Sequence, residues 1–186
     1  MTRNRIIISI LALALSVNVV VGTKSAMADT LRKGTPVGTT VSGKIDEWDL
    51  AGSSGYGTNT IYDVRLTVLR VVRGYEAWNL IQKASETNKP PETGFEYILA
   101  HIRIAFNAAE NKVSPYTLKP EVFKVYDTSD HAYACPNVLP PKPALIGKVF
   151  YPGDSSEGWV PFLVSTDHKR PLMFFTGGLW FQLFYE

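Results

Sequence analysis

The sequence predicts a mainly β protein: an antiparallel β-sandwich with one short inserted helix. Alternation of apolar and polar residues recurs in about eight short segments, and turn-forming residues separate them at short intervals. Such short connections leave no room for repeated parallel crossovers, so the sheets are expected to be antiparallel. A single segment changes from the two-residue period to the 3.6-residue period of a helix.

The two clearest strands are predicted at residues 61–72 and 95–107. In the first, apolar side chains alternate up to Val68, and the phase then moves by one position to Leu69 and Val71. Because a β-bulge shifts a period-two pattern by one residue, a bulge is predicted near Val68 and Leu69, although a strand buried on both faces would give the same pattern. The second segment has one apolar and one amphipathic face, which is typical of a central strand.

The helix is predicted at residues 75–85. Ala77, Leu80, Ile81 and Ala84 follow the spacing of one helix face, and the segment ends at the prolines of residues 88–91. The pattern leaves open whether this helix packs over a sheet edge or against a core face.

The remaining predicted strands are shorter, and they cover residues 37–48, 121–126, 145–151, 159–164, 171–175 and 179–185. Residues 51–59 are rich in Gly and Ser and are predicted to form a loop. Residues 137–143 form a proline-rich connection that cannot pair in the centre of a sheet.

The first 28 residues have the pattern of an export signal. Basic residues precede an apolar run at residues 6–21, and Ala26-Met27-Ala28 offers a small-x-small cleavage site. No cysteine follows the run, which excludes a lipid anchor there. The prediction is a signal peptide at 1–28, a flexible lead-in at 29–37 and one domain at 38–186, secreted and not lipid-anchored. An uncleaved N-terminal anchor is the less favoured alternative.

The charge balance argues against nucleic-acid binding. The leader holds three of the 19 basic residues and no acidic one, so the mature chain would carry 16 basic and 17 acidic side chains. Without a basic surplus there is no electrostatic basis for contact with nucleic acid. No membrane contact is expected once the signal has been removed.

Several segments resemble a family of exported bacterial domains known as telokin-like, which have an immunoglobulin-type sandwich and largely unknown functions. The residues that carry the resemblance lie at 73–78, 88–91, 94–100, 153, 157–164, 171–175 and 180–181. The resemblance covers most of residues 38–185. It implies an immunoglobulin-like fold and export, and it carries over no catalytic residue, because fold likeness does not give function.

Catalytic motifs are not evident in the sequence. The segment at residues 52–55 approaches a nucleophile-elbow motif, but Tyr56 stands where that motif needs glycine. The single cysteine, Cys135, lies four residues from His131, and it is read as a small apolar residue or an unpaired thiol. No cofactor motif is present, and the expectation is a protein that is not an enzyme.

Metal ligation has only weak candidates. The three histidines are far apart in sequence, and two acidic groups could offer oxygens to calcium without EF-hand spacing. These are Asp46, Glu47 and Asp49 in the first strand, and Asp127 and Asp130 in a predicted turn. Turn-forming or solvated carboxylates are the preferred interpretation.

The candidate binding residues are aromatic or cationic. Trp48, Tyr56 and Tyr75 lie in or beside predicted loops, where aromatic side chains can anchor a partner or stack on a sugar. His101 and Arg103 share one face of a strand and could receive a carboxylate, although a half-exposed sheet face is the simpler reading. Trp78, Trp159 and Trp180 lie in periodic segments and are expected to be buried in the core.

These observations favour a secreted, non-catalytic binding module that recognises a protein or cell-surface partner through its end loops. The preferred contact region is residues 51–59 with Trp48 and Tyr56. The alternative is a small-ligand binder for a glycan or a divalent cation, and a hydrolase using His131 or His168 ranks last.

Overall fold

The computed structural model describes residues 33–49, 58–109, 115–127 and 131–185, with the backbone alone at residues 48, 49, 58 and 59. The described chain is mainly β, with antiparallel sheets and one α-helix, as predicted. Its elements are β1 (Thr40–Asp49), β2 (Thr58–Arg73), α1 (Tyr75–Ala84), β3 (Phe95–Ala109), β4 (Tyr116–Thr117), a 3-10 turn (Pro120–Val122), β5 (Phe123–Val125), β6 (Val149–Phe150), β7 (Ser155–Ser165), β8 (Leu172–Phe175) and β9 (Leu179–Gln182).

A four-stranded sheet in the order β1-β2-β3-β7 is the largest unit. The register between β2 and β3 shifts between Val68 and Arg70, so Leu69 is the extra residue. This confirms the bulge predicted from the change of apolar phase. A second irregularity lies near the other end of the same pair, between Asp63 and Val64.

The four-stranded sheet faces a three-stranded sheet in the order β5-β8-β9 across a shared apolar core. Alternate residues of every long strand point inward, as the two-residue period requires. Each fully buried aliphatic side chain contributes about 1.5–3 kcal/mol to folding. The largest fully buried side chains are Tyr62, Leu66, Ile81, Ile98, Leu99, Ile102, Ile104, Phe106, Leu118, Phe150, Phe175 and Phe181.

Helix α1 connects β2 to β3 and covers the outer face of the four-stranded sheet. Ala77 and Ile81 are fully buried against Val72 and Leu99 of that face, which forms a second apolar cluster. Glu76 in the first turn and Lys83 in the last turn suit the helix dipole. The helix therefore packs on a sheet face, which answers the question that the sequence left open.

The N-terminal edge of the described chain closes one side of the three-stranded sheet. Thr35 forms a parallel bridge with Phe181 of β9, and the Thr35 N–H donates to the Trp180 carbonyl at 2.7 Å. The side chain of Gln182 donates to the carbonyl of Lys33 at 3.1 Å. The predicted lead-in thus makes ordered backbone contacts at its described end.

Several strand predictions differ from the structure. The strand predicted at residues 121–126 begins only at Phe123, after the 3-10 turn, and the strand predicted at residues 179–185 ends at Gln182. Of the strand predicted at residues 145–151, only Val149–Phe150 forms, because Gly147 has a φ of 81° and the Leu145 N–H bonds outside the ladder. The two-residue strand β4 was not predicted, since two residues carry no periodicity.

The prediction of core burial for three tryptophans was wrong. Trp78, Trp159 and Trp180 are each half-buried on the outer side of a sheet or helix. Their rings pack against neighbouring aromatic or histidine rings.

Candidate functional site

A concave surface lies beneath the proline-rich strap, which we define as residues 135–144. The strap belongs to the connection between β5 and β6 and runs beside β7, an edge strand of the four-stranded sheet. Its four prolines lack backbone N–H groups, so it cannot form a regular ladder with that edge. The strap and the segments beside it are held by contacts at three places.

The first anchor joins the end of the strap to the middle of β7. The Trp159 N–H donates to the Pro143 carbonyl at 2.9 Å, and the Leu145 N–H donates to the Trp159 carbonyl at 3.3 Å. This approach requires glycine at position 158, because a Cβ there would lie 2.7 Å from the Leu145 nitrogen. The neighbouring edge position is Pro161, which has no N–H to offer to another strand.

The second anchor is the side chain of Asn88, just beyond α1. Its amide nitrogen donates to the Leu139 carbonyl at 2.8 Å, and its amide oxygen accepts the Leu139 N–H at 2.8 Å. The same nitrogen donates to the Ile81 carbonyl at 2.7 Å. One side chain therefore satisfies both backbone groups of Leu139 and ties them to the helix.

The third anchor lies just before the strap. The Tyr133 N–H donates to the Val125 carbonyl of β5 at 2.8 Å, and the Tyr133 hydroxyl lies 3.2 Å from Nδ1 of His168. Burial lowers the pKa of His168, and the nearby Arg73 guanidinium lowers it further against a smaller opposite effect of Asp127. We therefore expect a neutral imidazole at pH 7.

Arg73 fixes the turn that carries His168. Its guanidinium forms an ion pair with Glu96 at 2.6 Å and donates to the backbone carbonyls of His168 and Lys169 at 2.7 and 3.0 Å. Both partners of the ion pair are partly buried, so removal of either would leave the other charge partly desolvated and without its partner.

Between the strap and the body lies an apolar groove of about 290 Å³, hereafter the sheet-side groove. Ligand pockets in proteins start at about 300 Å³, so its size suits a small ligand or an inserted side chain. Its walls are largely aliphatic, aromatic and proline side chains, and they comprise Pro120, Phe123, Cys135, Pro136, Asn137, Val138, Leu139, Pro140, Ala144, Ile146, Val160, Pro161 and Phe162.

A second groove lies on the other side of the strap, against α1. This helix-side groove holds about 530 Å³ and is lined by helix residues near Leu80 and by strap residues from Leu139 to Ala144. Leu139, Pro140 and Ala144 border both grooves. Leu139 is exposed over 59% of its surface, although both of its backbone groups are bonded to Asn88.

Cys135 lies at the rim of the sheet-side groove. The residue is exposed, yet the packed part of its surroundings raises the pKa of its thiol, and Glu121 raises it further. A raised pKa reduces the thiolate fraction at neutral pH, which is the opposite of what activates a nucleophilic cysteine.

Of the aromatic candidates from the sequence, the structure describes only the backbone of Trp48 and the whole of Tyr75. The backbone of Trp48 lies near the end of β1, and the structure does not describe its side chain. Tyr56 lies outside the described residues. Tyr75 is 79% exposed at the start of α1, beside the end of β2 that is remote from Trp48. Trp48 and Tyr75 therefore lie at opposite ends of the four-stranded sheet.

His101 and Arg103 share the outer face of β3, as predicted, and each has a partner on β7. The His101 ring lies 4.7 Å from the Trp159 ring. Nε of Arg103 donates to Glu157 at 2.6 Å, and Nη2 lies 2.5 Å from the same oxygen. Arg103 is therefore paired with a carboxylate of the neighbouring strand, which agrees with the preferred interpretation of a half-exposed sheet face rather than with the alternative of a ligand carboxylate.

The acidic candidates are separated or engaged in local contacts. Glu47 forms an ion pair with Lys119 at 3.2 Å, and Asp46 points to the other face of β1. The Asp127 carboxylate accepts the His131 N–H at 2.9 Å. The side chain of Asp49 and all of Asp130 lie outside what the structure describes.

Asn88 and the grooves were missed by reasoning from the sequence. A signal did exist: more than 20 residues separate β5 from β6, and connections longer than about 12–15 residues are often functional. The bonds of Asn88 to Leu139 carry no periodic pattern, because they join residues that are 51 positions apart.

Comparison of the chain with known protein families, curated proteins and solved structures finds no match. Within the described ranges, no helix has the length and apolar character needed to cross a membrane. Across the same part of the chain, no three His, Cys, Asp or Glu side chains are grouped so that they could hold a metal ion.

Proposed function

We propose that this chain is an exported, non-catalytic binding module whose binding site is the sheet-side groove beneath the proline-rich strap. The observation that carries the proposal is an apolar groove of about 290 Å³ whose walls reach buried core residues such as Phe123 and Phe162. Apolar side chains that line an unfilled groove make no dispersion contacts on that side. An apolar group inserted into the groove supplies these contacts, which favours binding.

The preferred occupant is an apolar side chain of a protein partner. The groove is at the lower end of ligand-pocket volumes, and such pockets are where anchor residues of protein interfaces insert. The exposed Leu139 on the rim adds apolar contact surface beside the groove. This moves the predicted contact region from the end loop at residues 51–59 to the strap.

The groove can be tested with a fluorescent apolar probe, 1-anilinonaphthalene-8-sulfonate, added to the chain from Asp29. One bound probe per chain is expected. Ala144→Phe places a phenyl ring where the two grooves meet and should weaken binding at least tenfold, which corresponds to about 1.4 kcal/mol. Ala108→Phe makes the same change on the exposed part of β3 and serves as the control.

Equal binding by both variants would remove the groove from the proposal. In that case Trp48→Ala combined with Tyr56→Ala tests the end loop instead. Retention of partner proteins from culture supernatant on the immobilised chain should follow the same order: lost in Ala144→Phe and kept in Ala108→Phe.

A glycan ligand is the second candidate, and a different surface favours it. Tyr126, Phe174 and Trp180 form a half-buried aromatic cluster on the outer face of the three-stranded sheet, with ring centroids 5.0–6.3 Å apart. A glycan at ~100 times its dissociation constant would stabilise the fold by about 2.7 kcal/mol. A rise in unfolding temperature that Trp180→Ala abolishes would favour this candidate.

The export and family proposals rest on the sequence together with the general architecture. An immunoglobulin-like sandwich of the telokin-like type is supported by two antiparallel sheets that face each other. The consecutive strands β1, β2 and β3 share one sheet here, whereas the immunoglobulin order places the second and third strands in different sheets. N-terminal sequencing of the secreted protein tests the proposed export, and the mature chain should begin at Asp29.

A further inference from the structure

The strap lies between the two grooves, and this position bears on how a ligand reaches the sheet-side groove. The sheet-side groove, of about 290 Å³, is on one side of it, and the helix-side groove, of about 530 Å³, is on the other. Leu139, Pro140 and Ala144 form the wall common to both. Val138 of the strap packs against the second apolar cluster, but the wall formed by Leu139, Pro140 and Ala144 has space on either side, so this part can move without breaking close packing.

The points of attachment divide the strap into a fixed end and a latched middle. Its end is fixed by backbone bonds of Pro143 and Leu145 to Trp159, and the segment before it is fixed by Tyr133 to β5. Between those places Leu139 is bonded by the two contacts with the side chain of Asn88, each 2.8 Å long.

Asn88 is itself held in position, which makes it suitable as a latch. Its side-chain nitrogen also donates to the Ile81 carbonyl at 2.7 Å. The backbone carbonyl of the following residue, Lys89, accepts a hydrogen bond from the Tyr97 hydroxyl at 3.1 Å. The latch therefore belongs to the rigid helix-and-sheet body, and the strap is the part that can leave it.

We propose that the strap is a gate over the sheet-side groove, that Asn88 is its latch, and that release of Leu139 lets the strap move toward the helix-side groove and admit a ligand. Because the gate serves the groove proposed above as the binding site, this inference rests on that proposed function. Asn88 is a positioning residue, which acts on the ligand through the strap.

Hydrogen exchange tests the gate without any ligand. In Asn88→Ala, amides in the middle of the strap, at Val138 and Leu139, should exchange roughly tenfold faster or more. The amides of Tyr133 and Leu145 should change less than about twofold, since their bonds are intact. Asn137→Ala makes the same chemical change on the strap, keeps both bonds to Asn88, and is the matched control.

Stopped-flow binding of 1-anilinonaphthalene-8-sulfonate supplies the second readout. If the latch limits entry, Asn88→Ala should raise the association rate constant roughly tenfold, as expected when a conformational step slows association. A side chain that only shaped the groove would change the dissociation rate and leave association unaltered.

The outcomes separate the gate from the proposed binding function. Equal acceleration of exchange at strap and β3 amides means general destabilisation and overturns the gate, as does unchanged exchange at Val138. A failure of the probe to bind the unmodified chain, with exchange as expected, would overturn the binding function and retain a mobile strap. Binding with an association rate unaffected by Asn88→Ala would overturn the gate and retain the binding site.

Discussion

Two sheet edges of this protein are each covered by a short segment, but the two segments pack differently. Residues 33–35 lie along β9 and are called the β9 cover, and the strap lies along β7 and is called the β7 cover. At the β9 edge, Thr35 makes one parallel bridge, with backbone bonds of 2.7 Å to Trp180 and 2.9 Å to Gln182. At the β7 edge, the strap makes one parallel bridge at Trp159, with backbone bonds of 2.9 and 3.3 Å. Covering an edge in this way keeps it from pairing with other chains.

The difference lies in what is behind each cover. Gly34 lies so close to Leu172 that a Cβ would stand 2.8 Å from its side chain, and the nearby Gln182 amide bonds the Lys33 carbonyl. The strap instead has an open groove on each side. The closely packed cover at β9 suits edge protection alone, whereas the hollow cover at β7 also leaves space for a ligand.

The largest expected effect comes from removing the β9 cover. A chain that begins at Val37 lacks the Thr35 bridge and leaves the buried Gln182 amide without its partner, so it should be less stable than the chain from Asp29 by about 3–4 kcal/mol. Urea unfolding monitored by tryptophan fluorescence measures the difference. Self-association through the bared edge should appear in sedimentation.

An unchanged unfolding midpoint in the shortened chain would mean that the β9 cover is not structural. The distinction between a cover at β9 that protects the sheet edge and a cover at β7 that also leaves space for a ligand would then be wrong.

Gly158→Ala should have the next largest effect, at the β7 cover. The new Cβ would lie 2.7 Å from the Leu145 nitrogen and 2.8 Å from the Pro143 oxygen, and backbone atoms cannot rotate away. We expect a loss of about 2–3 kcal/mol in the free energy of unfolding. Gly43→Ala is the matched control, because there the Cβ meets only the flexible side chain of Leu179.

A loss of stability in Gly43→Ala equal to that in Gly158→Ala would show that strand glycines here matter for backbone conformation. The close approach of the strap would then not be the cause.

The smallest expected effect is a pH dependence at His168, which contacts Tyr133 just before the strap. His168 has a lowered pKa in the folded protein, so below the ordinary value of 6.5 the unfolded chain binds more protons than the folded one. Its contribution to stability is present above pH 6.5 and is lost as the pH falls through 6.5 toward the lowered folded-state pKa. Urea midpoints between pH 7.5 and 5 measure this loss.

His168→Gln should reduce the dependence of the midpoint on pH. His131→Gln removes an exposed imidazole and isolates the contribution of the half-buried one. Identical pH profiles for the two variants would contradict the assignment to His168.

Much of the fold could be predicted from periodicity. The bulge at Leu69 followed from a phase change, and the helix was predicted within one residue of its end at Ala84. Both depend on neighbours in sequence that share a face, which is the information that periodicity carries. The strand predicted at residues 145–151 fell short at Gly147, where a positive φ ends the pairing.

The candidate site could not be predicted in the same way. The groove exists because Asn88, Leu139 and Trp159 are brought together from distant parts of the chain. Prolines in the strap predicted that it would not pair, but they gave no indication of what would hold it. Half-burial of Trp159 has a similar origin, since α1 covers only part of that sheet face.

The most direct test of the hollow cover as a binding site is an amide chemical-shift map of the chain from Asp29, titrated with 1-anilinonaphthalene-8-sulfonate. The account predicts that shifts concentrate on residues 135–146 and on β7 from Val160 to Phe162, with saturation at one probe per chain. Shifts concentrated at residues 51–59, or an absence of saturable shifts, would contradict it.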